Sequence, residues 1–493
     1  MTRFRLDPTW RRPGAGQPGA GQLVIAGSPL RLFRLSPGGA HVIAQVEAGE
    51  APETAAVRQF LDRFVEAGAL HPMPEPAASP FTADDVTIVI PAFASPPTDL
   101  TTDPTPDLTT IWARFVSEPE TNQPQIPEGG PEGGPEGGPE GGPVIVVDDA
   151  SPTPLAGTGH GVTWLRHDTN RGPGAARNTG LAHVTTPFVA FVDTDVSLPT
   201  GWLEPLLAHF ADDRVALVAP RVKSAPGPGR LAAYETRHSP LDLGEQPARI
   251  AAGTRVSYVP AAVLVCRTET LRELGGFDEG LRFGEDVDLL WRLTEAGYRA
   301  RYEPASVVLH APRSSWGELW RQRFGYGRSA APLARRHGRA LAPVRMSGWS
   351  AAVWALIALR RPWMAISVAA GTIVALRRKL GDVPPRESAR LVGLGHLAAG
   401  GQFARAITRV WWPVAAVLAL VSRRARLPVL MAVLAPRLGE ALRSRSSTPL
   451  ADSPARLADE MAYGAGVWAG VIAERELGPL VPEFTTWPQR GGR

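Results

Sequence analysis

Four short apolar runs, each stopping on polar or acidic residues, constrain this chain more than any other feature. They are Val86 to Phe93 ("VTIVIPAF"), Val144 to Asp149 ("VIVVDD"), Val162 to His167 ("VTWLRH") and Phe188 to Val196 ("FVAFVDTDV"). A strand covered by helices on both faces reads as a near-continuous apolar run rather than an alternation, so these segments predict the central strands of a mostly parallel sheet in an α/β fold. Parallel neighbours need a crossover, and Leu108 to Pro119 ("LTTIWARFVSEP") is the helix expected between the first two. Ligands gather beyond the carboxyl ends of such strands. Asp148, Asp149, Asp193 and Asp195 therefore stand where a ligand would sit.

Between the first two runs, within 120–143, lie four Pro-Glu-Gly-Gly repeats that have nothing apolar to bury. On the return from helix to strand they fall at the amino ends of the sheet, away from the ligand edge, where added loop length costs little. Shortening the tract to one repeat is expected to leave activity largely intact. The chain has 51 Gly and 49 Pro, but they concentrate in the first 30 residues, in this tract and in turns, so it reads as globular with loose insertions. At 493 residues it exceeds one ordinary core, and three regions are expected: 1–80, 81–340 and 341–493. A formal charge of +4 gives no support for a nucleic-acid partner. The single cysteine, Cys266, excludes a disulfide framework and a cysteine-rich metal site, which fits a reducing compartment. Met1 to Gln22 lacks the apolar stretch of a secretory signal, so the amino-terminal part is expected in the cytoplasm.

Asp193 and Asp195 are two apart, which in extended backbone turns both carboxylates to one side, ready to share a divalent cation; an acidic turn is the plainer reading. The stretch "DTNRGPGAARNTGL" (Asp168 to Leu181) also mimics a dinucleotide fingerprint through Gly172 and Gly174, with Asp193 further on. Arg177 occupies the third glycine's place, and polar residues separate strand from turn. A nicotinamide enzyme nevertheless stays open as a rival, one that would bind its cofactor without metal. Glu285-Asp286 open a helix that turns Val287, Leu290 and Leu293 inward and stops at Gly297. Asp288 is assigned only the ordinary acidic preference of a helix start.

Taken in order, "VTIVIPAF", "VIVVDDAS", "NRGPGAARNTGL", "FVDTDV" and "GGFDEGLRFGEDVDLLWRL" (Gly275 to Leu293) resemble the inverting family-2 glycosyltransferases of GT-A fold. The resemblance implies a Rossmann-like, nucleotide-binding mixed sheet flanked by helices, and transfer of a sugar from a nucleotide sugar to an acceptor hydroxyl. It implies Asp286 as catalytic base, with Glu285 beside the substrate as the rival for that role. Asp149 would contact the uracil or ribose, Arg171, Arg177 and Asn178 would steady the nucleotide, and Pro91 and Phe93 would border the donor. Asp193 would engage the diphosphate; Asp195 and His310 would hold Mg2+ or Mn2+, although a histidine ending a strand is as often structural. A departing diphosphate gains charge that a cation and guanidinium groups neutralise, while a carboxylate takes the acceptor's proton, so a single displacement inverts the anomeric centre. "QRFGYGRS" (Gln322 to Ser329) lacks the Gln-x-x-Arg-Trp of processive synthases, and processive synthesis is not carried over.

Ahead of the sheet, "LRLFRLS" (Leu30 to Ser36) reads as a strand, Ser36-Pro37 as cap and first turn of a helix through Ala48, and Val57, Phe60, Leu61, Phe64 and Val65 as the face of a second helix ending at Gly68. With "ALHP" returning as a strand, this small α+β module resembles winged-helix modules that hold precursor peptides; a packing domain is the alternative. Together with the catalytic text it resembles the mycofactocin-system glycosyltransferases, which implies a UDP-glucose donor, a peptide-derived acceptor and a β-1,4-linked product. A cell-envelope polysaccharide or glycolipid transferase remains the other enzyme reading, and a peptide-binding scaffold the non-enzymatic one. In 341–493 the apolar segments Gly348 to Leu359, Pro362 to Leu376 and Trp411 to Val421 are shorter than the ~20 residues of a straight span. Arg360, Arg361, Arg377, Arg378 and Lys379, with Trp363, Trp411 and Trp412, suit helices lying in a membrane surface on its cytoplasmic face; a soluble helical cap is the alternative.

Overall fold

The computed structural model describes residues 3–13, 22–50, 54–93, 142–155, 162–444 and 448–485. The expected crossover helix at Leu108 to Pro119 and the Pro-Glu-Gly-Gly repeats lie outside the described residues. The chain divides into two compact units, Met1–Arg11 with Val24–Arg313, and Arg12–Leu23 with Ser314–Arg493.

The first unit opens with the small module. Strand β1 (Arg3–Leu6) pairs with β4 (Leu70–Met73), and β2 (Leu23–Ala26) pairs with β3 (Arg31–Arg34), around helices α1 (Pro37–Glu47) and α2 (Ala55–Glu66). Ser36 Oγ accepts the Gly39 N–H and Thr54 Oγ1 the Val57 N–H, the side-chain caps that start each helix. Val24, Ile43, Leu61, Phe64 and Leu70 form the module's own core, with Phe33 stacked on Phe64 at 4.3 Å. Strands β1 and β2 add to the expected pattern. Their four residues are too short to carry a periodic signal, and the partner of β1 lies more than sixty residues downstream.

The main sheet contains β5 (Val86–Ala92), β6 (Val144–Asp148), β7 (Val162–Arg166), β8 (Phe188–Val192), β9 (Val196–Ser197), β10 (Val215–Ser224), β11 (Ala248–Ile250), β12 (Val263–Arg267) and β13 (Arg299–His310). Its order is β11-β13-β10-β12-β8-β5-β6-β7, with β9 beside β13. Strands β5, β6, β7 and β8 are mutually parallel, and all of β6 and β8 is buried as expected of covered strands; β7 instead forms an edge of the sheet, with Thr163 and Arg166 exposed, so it is not a central strand covered on both faces. Antiparallel β12 enters between β8 and parallel-running β10 and β13, which makes the sheet mixed and GT-A-like. Helices α3 (Pro173–His183) and α4 (Glu285–Glu295) bring their amino ends to the carboxyl edge of this sheet.

The second unit is helical: α5 (Trp316–Arg328), α6 (Gly348–Ala358), α7 (Pro362–Lys379), α8 (Pro385–Arg409), α9 (Trp412–Val421), α10 (Arg423–Ser444) and α11 (Ser453–Glu474), with shorter pieces between. Helices α5 and α11 cross so closely that a Cβ on Gly327 would stand 2.0 Å from the Tyr463 carbonyl oxygen, and Arg323 donates to Asp459 at 2.6 Å across the same crossing. His396 of α8 bridges Ser350 on α6 and Thr372 on α7. No single described helix is long and apolar enough to cross a membrane; α8 and α9 together would pass by length and composition, bent at 84°. Large apolar side chains nonetheless face outward, with Trp363 80% and Leu420 77% exposed.

Candidate active site

Strand β6 ends in two aspartates with different tasks. Asp148 closes the turn behind the strand: it accepts the N–H of Ser151 at 2.8 Å and of Leu155 at 3.1 Å, and pairs with Arg166. Burial alone would raise its pKa, but these donors outweigh burial and lower it. Asp149 takes the N–H of Arg171 at 2.9 Å and of Gly172 at 2.7 Å, and meets His167 Nδ1 at 2.7 Å, while His167 Nε2 reaches Thr179 Oγ1 at 2.8 Å. Thus Asp149 ties the end of β6 to the start of α3. This arrangement also disposes of the dinucleotide reading, because the backbone N–H groups of the glycine turn, which would cradle a pyrophosphate, are already given to a carboxylate.

Helix α3 and the turn before it supply three expected donor-side residues, Arg171 from the turn and Arg177 and Asn178 from the helix, and each has a protein partner. Arg171 is half-exposed and pairs with Glu279 at 2.6 Å. Asn178 clasps Phe277 in both directions, donating to its carbonyl and accepting its N–H, each at 2.8 Å. Arg177 is buried, lies over the Phe277 ring, and forks to Glu285 through Nη1 and to Asp193 through Nη2, both at 2.8 Å. Arg177 is therefore the hub that joins the end of β8 to the start of α4, and its two acids raise its pKa against the effect of burial.

The aspartates of the Asp-x-Asp segment take different direct partners, although both carboxylates act on His310. Strand β8 stops at Val192, and the backbone turns so that the Val196 N–H returns to the Asp193 carbonyl at 3.2 Å. Strand alternation fails once the chain turns. Asp193 goes to Arg177, whereas Asp195 Oδ2 lies 3.2 Å from His310 Nε2 and 3.0 Å from Arg313 Nη1. Burial raises the pKa of Asp193, assisted by the neighbouring Asp195 charge. Burial would raise Asp195 too, but His310 and Arg313 pull it down to about 2, and Asp195 raises His310 in return. Arg313 is the residue that the sequence reading missed. It stands three positions beyond the strand-ending histidine, and its backbone N–H is anchored on Glu235 at 2.7 Å.

Helix α4 begins at Gly284, whose φ of +80° is the left-handed conformation a glycine adopts without strain. The turn sets Glu285 and Asp286 on the first helical positions. Glu285 faces Arg177, and burial together with the Asp286 charge pushes it up to about 7. Asp286 is raised as well, by burial, although it accepts the Ala261 N–H at 3.2 Å and the Val287 N–H at 2.8 Å. Val287, Leu290 and Leu293 are buried as expected. Asp288 departs from its expected part as a solvated helix-start acid: it is wholly buried and pairs with Arg292 at 2.7 Å. Pro91 is half-buried within β5 and Phe93 lies 47% exposed just past its carboxyl end.

Asp195 presents a carboxylate oxygen, the donor type that Mg2+ and Mn2+ take, while the His310 imidazole nitrogen fits a hard oxygen-seeking cation such as Mg2+ less well. Among the described residues no group of three or more His, Cys, Asp or Glu forms a ready-made cluster. A cation here would need further oxygens, of the kind a diphosphate brings.

Residues 143–268 match the family model described as Glycosyl transferase family 2. The chain is 37% identical over 487 residues, 95% of this chain and 96% of the relative, to a pre-mycofactocin glycosyltransferase of Mycobacterium tuberculosis. It is 28% identical over 165 residues, 33% of this chain and 52% of the relative, to the glycosyltransferase AglE of Haloferax volcanii. A solved mannosyltransferase from Pyrobaculum calidifontis, in complex with GDP-Man and Mn2+, aligns with 73% of this chain and 86% of its own at 18% identity and a TM-score of 0.35. The chain belongs to glycosyl transferase family 2 and, within it, to the group of the pre-mycofactocin glycosyltransferases.

Proposed function

We propose that this glycosyltransferase moves glucose from UDP-glucose to a hydroxyl of the peptide-derived redox cofactor precursor pre-mycofactocin, extending a β-1,4-linked chain with inversion at each transfer. The observation that carries this reading is the likeness to the Mycobacterium tuberculosis relative, which runs end to end rather than through the catalytic sheet alone. In the site, Asp195 and His310 would hold the divalent cation, which supplies charge neutralisation for the leaving diphosphate. Arg313, already on Asp195, is placed to add a guanidinium to the same charge. Asp286 accepts the acceptor's proton; its fixed position at the amino end of α4 matters more than its basicity, which the helix end lowers and burial raises. Arg177 keeps Glu285 engaged, so Glu285 is a positioning residue and Asp286 the base.

The second unit carries the location. Exposed Trp363, Met364, Leu420 and Val421 lie beside Arg360, Arg361, Arg423 and Arg424, the pairing of apolar surface with headgroup-seeking cations that suits the cytoplasmic face of a membrane. The same surface favours a second reading, a lipid-linked acceptor of the cell envelope. The test is to incubate the purified chain with UDP-glucose, Mn2+ and either acceptor. Hexose-mass additions to the peptide-derived precursor, with a β anomeric proton signal, support the proposal; additions only to the lipid-linked acceptor replace it.

A further inference from the structure

The start of β13 carries a second network of buried charge, on the side where α2 of the amino-terminal module packs. Arg299 and Arg301 are two apart on this strand and so share a face, and Arg249 of β11 stands directly opposite Arg301 in the antiparallel register. Arg214 and Arg255 complete the group. Like charges placed opposite one another across strands repel, so each guanidinium needs a counter-charge. Four have one. Arg214 pairs with Asp62 at 2.6 Å, Arg249 lies 3.8 Å from Glu66, Arg255 lies 3.6 Å from Asp7, and Arg299 reaches Glu66 at 2.6 Å, Asp62 at 3.3 Å and Asp212.

Arg301 is the exception. It is 4% exposed, no carboxylate stands within ion-pair distance of it among the described residues, and its Nε and Nη1 donors have no hydrogen-bond partner. The carboxylates whose charge reaches it, Glu66 and Asp212, are already engaged by Arg249 and Arg299. Two further titratable groups belong to this face: His71, lowered by burial, hydrogen-bonds Asp7 at 3.0 Å, and Glu303 is held by His209 at 2.8 Å and by the Ala305 N–H, so neither is a counter-charge for Arg301. An uncompensated buried cation is strongly destabilising. Water bonded to the two donors would satisfy their geometry but would leave the charge.

We infer that Arg301 holds a small monovalent anion of the chloride class between the module and the sheet. One negative charge offsets the single guanidinium left without a carboxylate, and its two unpartnered donors, Nε and Nη1, are the contacts such an ion would take. Burial and the like charges of Arg299 and Arg249 already bring the Arg301 pKa down to about 10, the signature of a cation short of partners. The anion joins module and sheet into one folding unit and takes no part in sugar transfer.

The test reads folding rather than turnover. Thermal unfolding of the full chain is followed in sodium chloride and in sodium gluconate at equal ionic strength. Ligand linkage predicts that, above the dissociation constant, each tenfold rise in chloride lowers the unfolding constant about tenfold, raising Tm steadily in chloride and not in gluconate. Arg301→Met should abolish the difference, while Arg335→Gln, which removes an exposed cation outside this group paired with Glu474, should keep it. Equal midpoints in the two salts for the unaltered chain, or an undiminished chloride effect in Arg301→Met, overturn the site. If Arg301→Met does not fold, crystals of the unaltered chain soaked in bromide decide: an anomalous peak at the Arg301 guanidinium upholds the site, and its absence ends it.

Discussion

Strand β13 carries one buried charge network at each end, and the two differ in sign. At its finish, His310 meets Asp195 in a group where Asp193, Asp195, Glu285 and Asp286 face Arg177 and Arg313, so acids are in surplus. At its start, Arg299 and Arg301 belong to a group where one guanidinium, Arg301, is left without a carboxylate among the described residues. Burial and ion pairing are common to both. What distinguishes them is which charge is left over, and that surplus names the sign of the missing ligand: a divalent cation with a donor at the carboxyl edge, an anion under the module.

The sharpest way to break this contrast is to change a charge on the acid side that touches substrate. Asp286→Asn preserves shape, keeps only one of the two oxygens that accept the Ala261 and Val287 N–H groups, and cannot accept a proton, so turnover should fall by ~10²–10⁴ with donor affinity little changed. Steady-state kinetics beside equilibrium binding of UDP separate the two. Near-normal turnover in Asp286→Asn, with Glu285→Gln inactive, would exchange their roles.

Arg177→Met comes next. It leaves Glu285 buried and Asp193 part-buried without their shared counter-charge, and removing one partner of a buried pair costs about 3–5 kcal/mol, less for the partner that water reaches. Denaturant unfolding should show the loss. A stability change below about 1 kcal/mol would mean that the two acids are protonated in the resting enzyme and the fork is not what joins β8 to α4.

Asp195→Ala should reduce both donor affinity and turnover, since a cation clamp serves binding and chemistry together. A chelator should reproduce the effect in the unaltered enzyme. Full activity in chelator would remove the metal from the acid-rich end and leave Arg313 and His310 as the cations on Asp195.

How legible was this contrast in the sequence? The acid-rich end was largely readable, because buried parallel strands write uninterrupted apolar text and their polar terminators mark the ligand edge. Asp149, Asp193 and Asp195 stand out on that logic, whereas Asp286 and His310 are picked out only by the family resemblance. Their partners were not readable. The Asp-x-Asp pair suggested two carboxylates on one side only while the strand was assumed to continue, and the turn after Val192 gave them different direct partners. Arg313 lies in a loop with no period to betray it. Asn178 and Arg171 carried a donor-binding expectation, but their contacts with Phe277 and Glu279 come from tertiary folding that no local spacing encodes. The arginine-rich end was invisible for the same reason: Asp62 and Glu66 read as the solvated face of an amphipathic helix, more than 200 residues from Arg299.

A smaller effect tests the acid surplus through pH. Glu285 rises from its ordinary 4.5 to about 7, so the folded state binds its proton more tightly than the unfolded state. That contribution is fully present below pH 4.5 and is lost as pH rises through about 7. Stability should therefore decline across this window by on the order of 1–3 kcal/mol. Glu285→Gln should flatten the decline in part, because Asp193 and Asp286 are shifted in the same direction. An unchanged slope in Glu285→Gln would show that Arg177 keeps Glu285 ionised throughout.

The smallest effect belongs to Arg214→Gln on the arginine-rich side. The Arg214 side chain is 51% exposed, so water and salt screen its pair with Asp62, and exposed pairs contribute only about 0–1 kcal/mol. Asp62 also keeps Arg299 at 3.3 Å after the change, so no carboxylate is stranded. Stability should move by less than about 1 kcal/mol, and by less still in high salt. The comparison with Arg177→Met is then between two guanidiniums that each bridge two acids and differ in exposure and in what their loss leaves behind. Should Arg214→Gln destabilise the protein as much as Arg177→Met, in low and high salt alike, exposure would not be what sets the worth of these pairs, and the surplus of charge at either end of β13 would lose its meaning as a guide to the ligand.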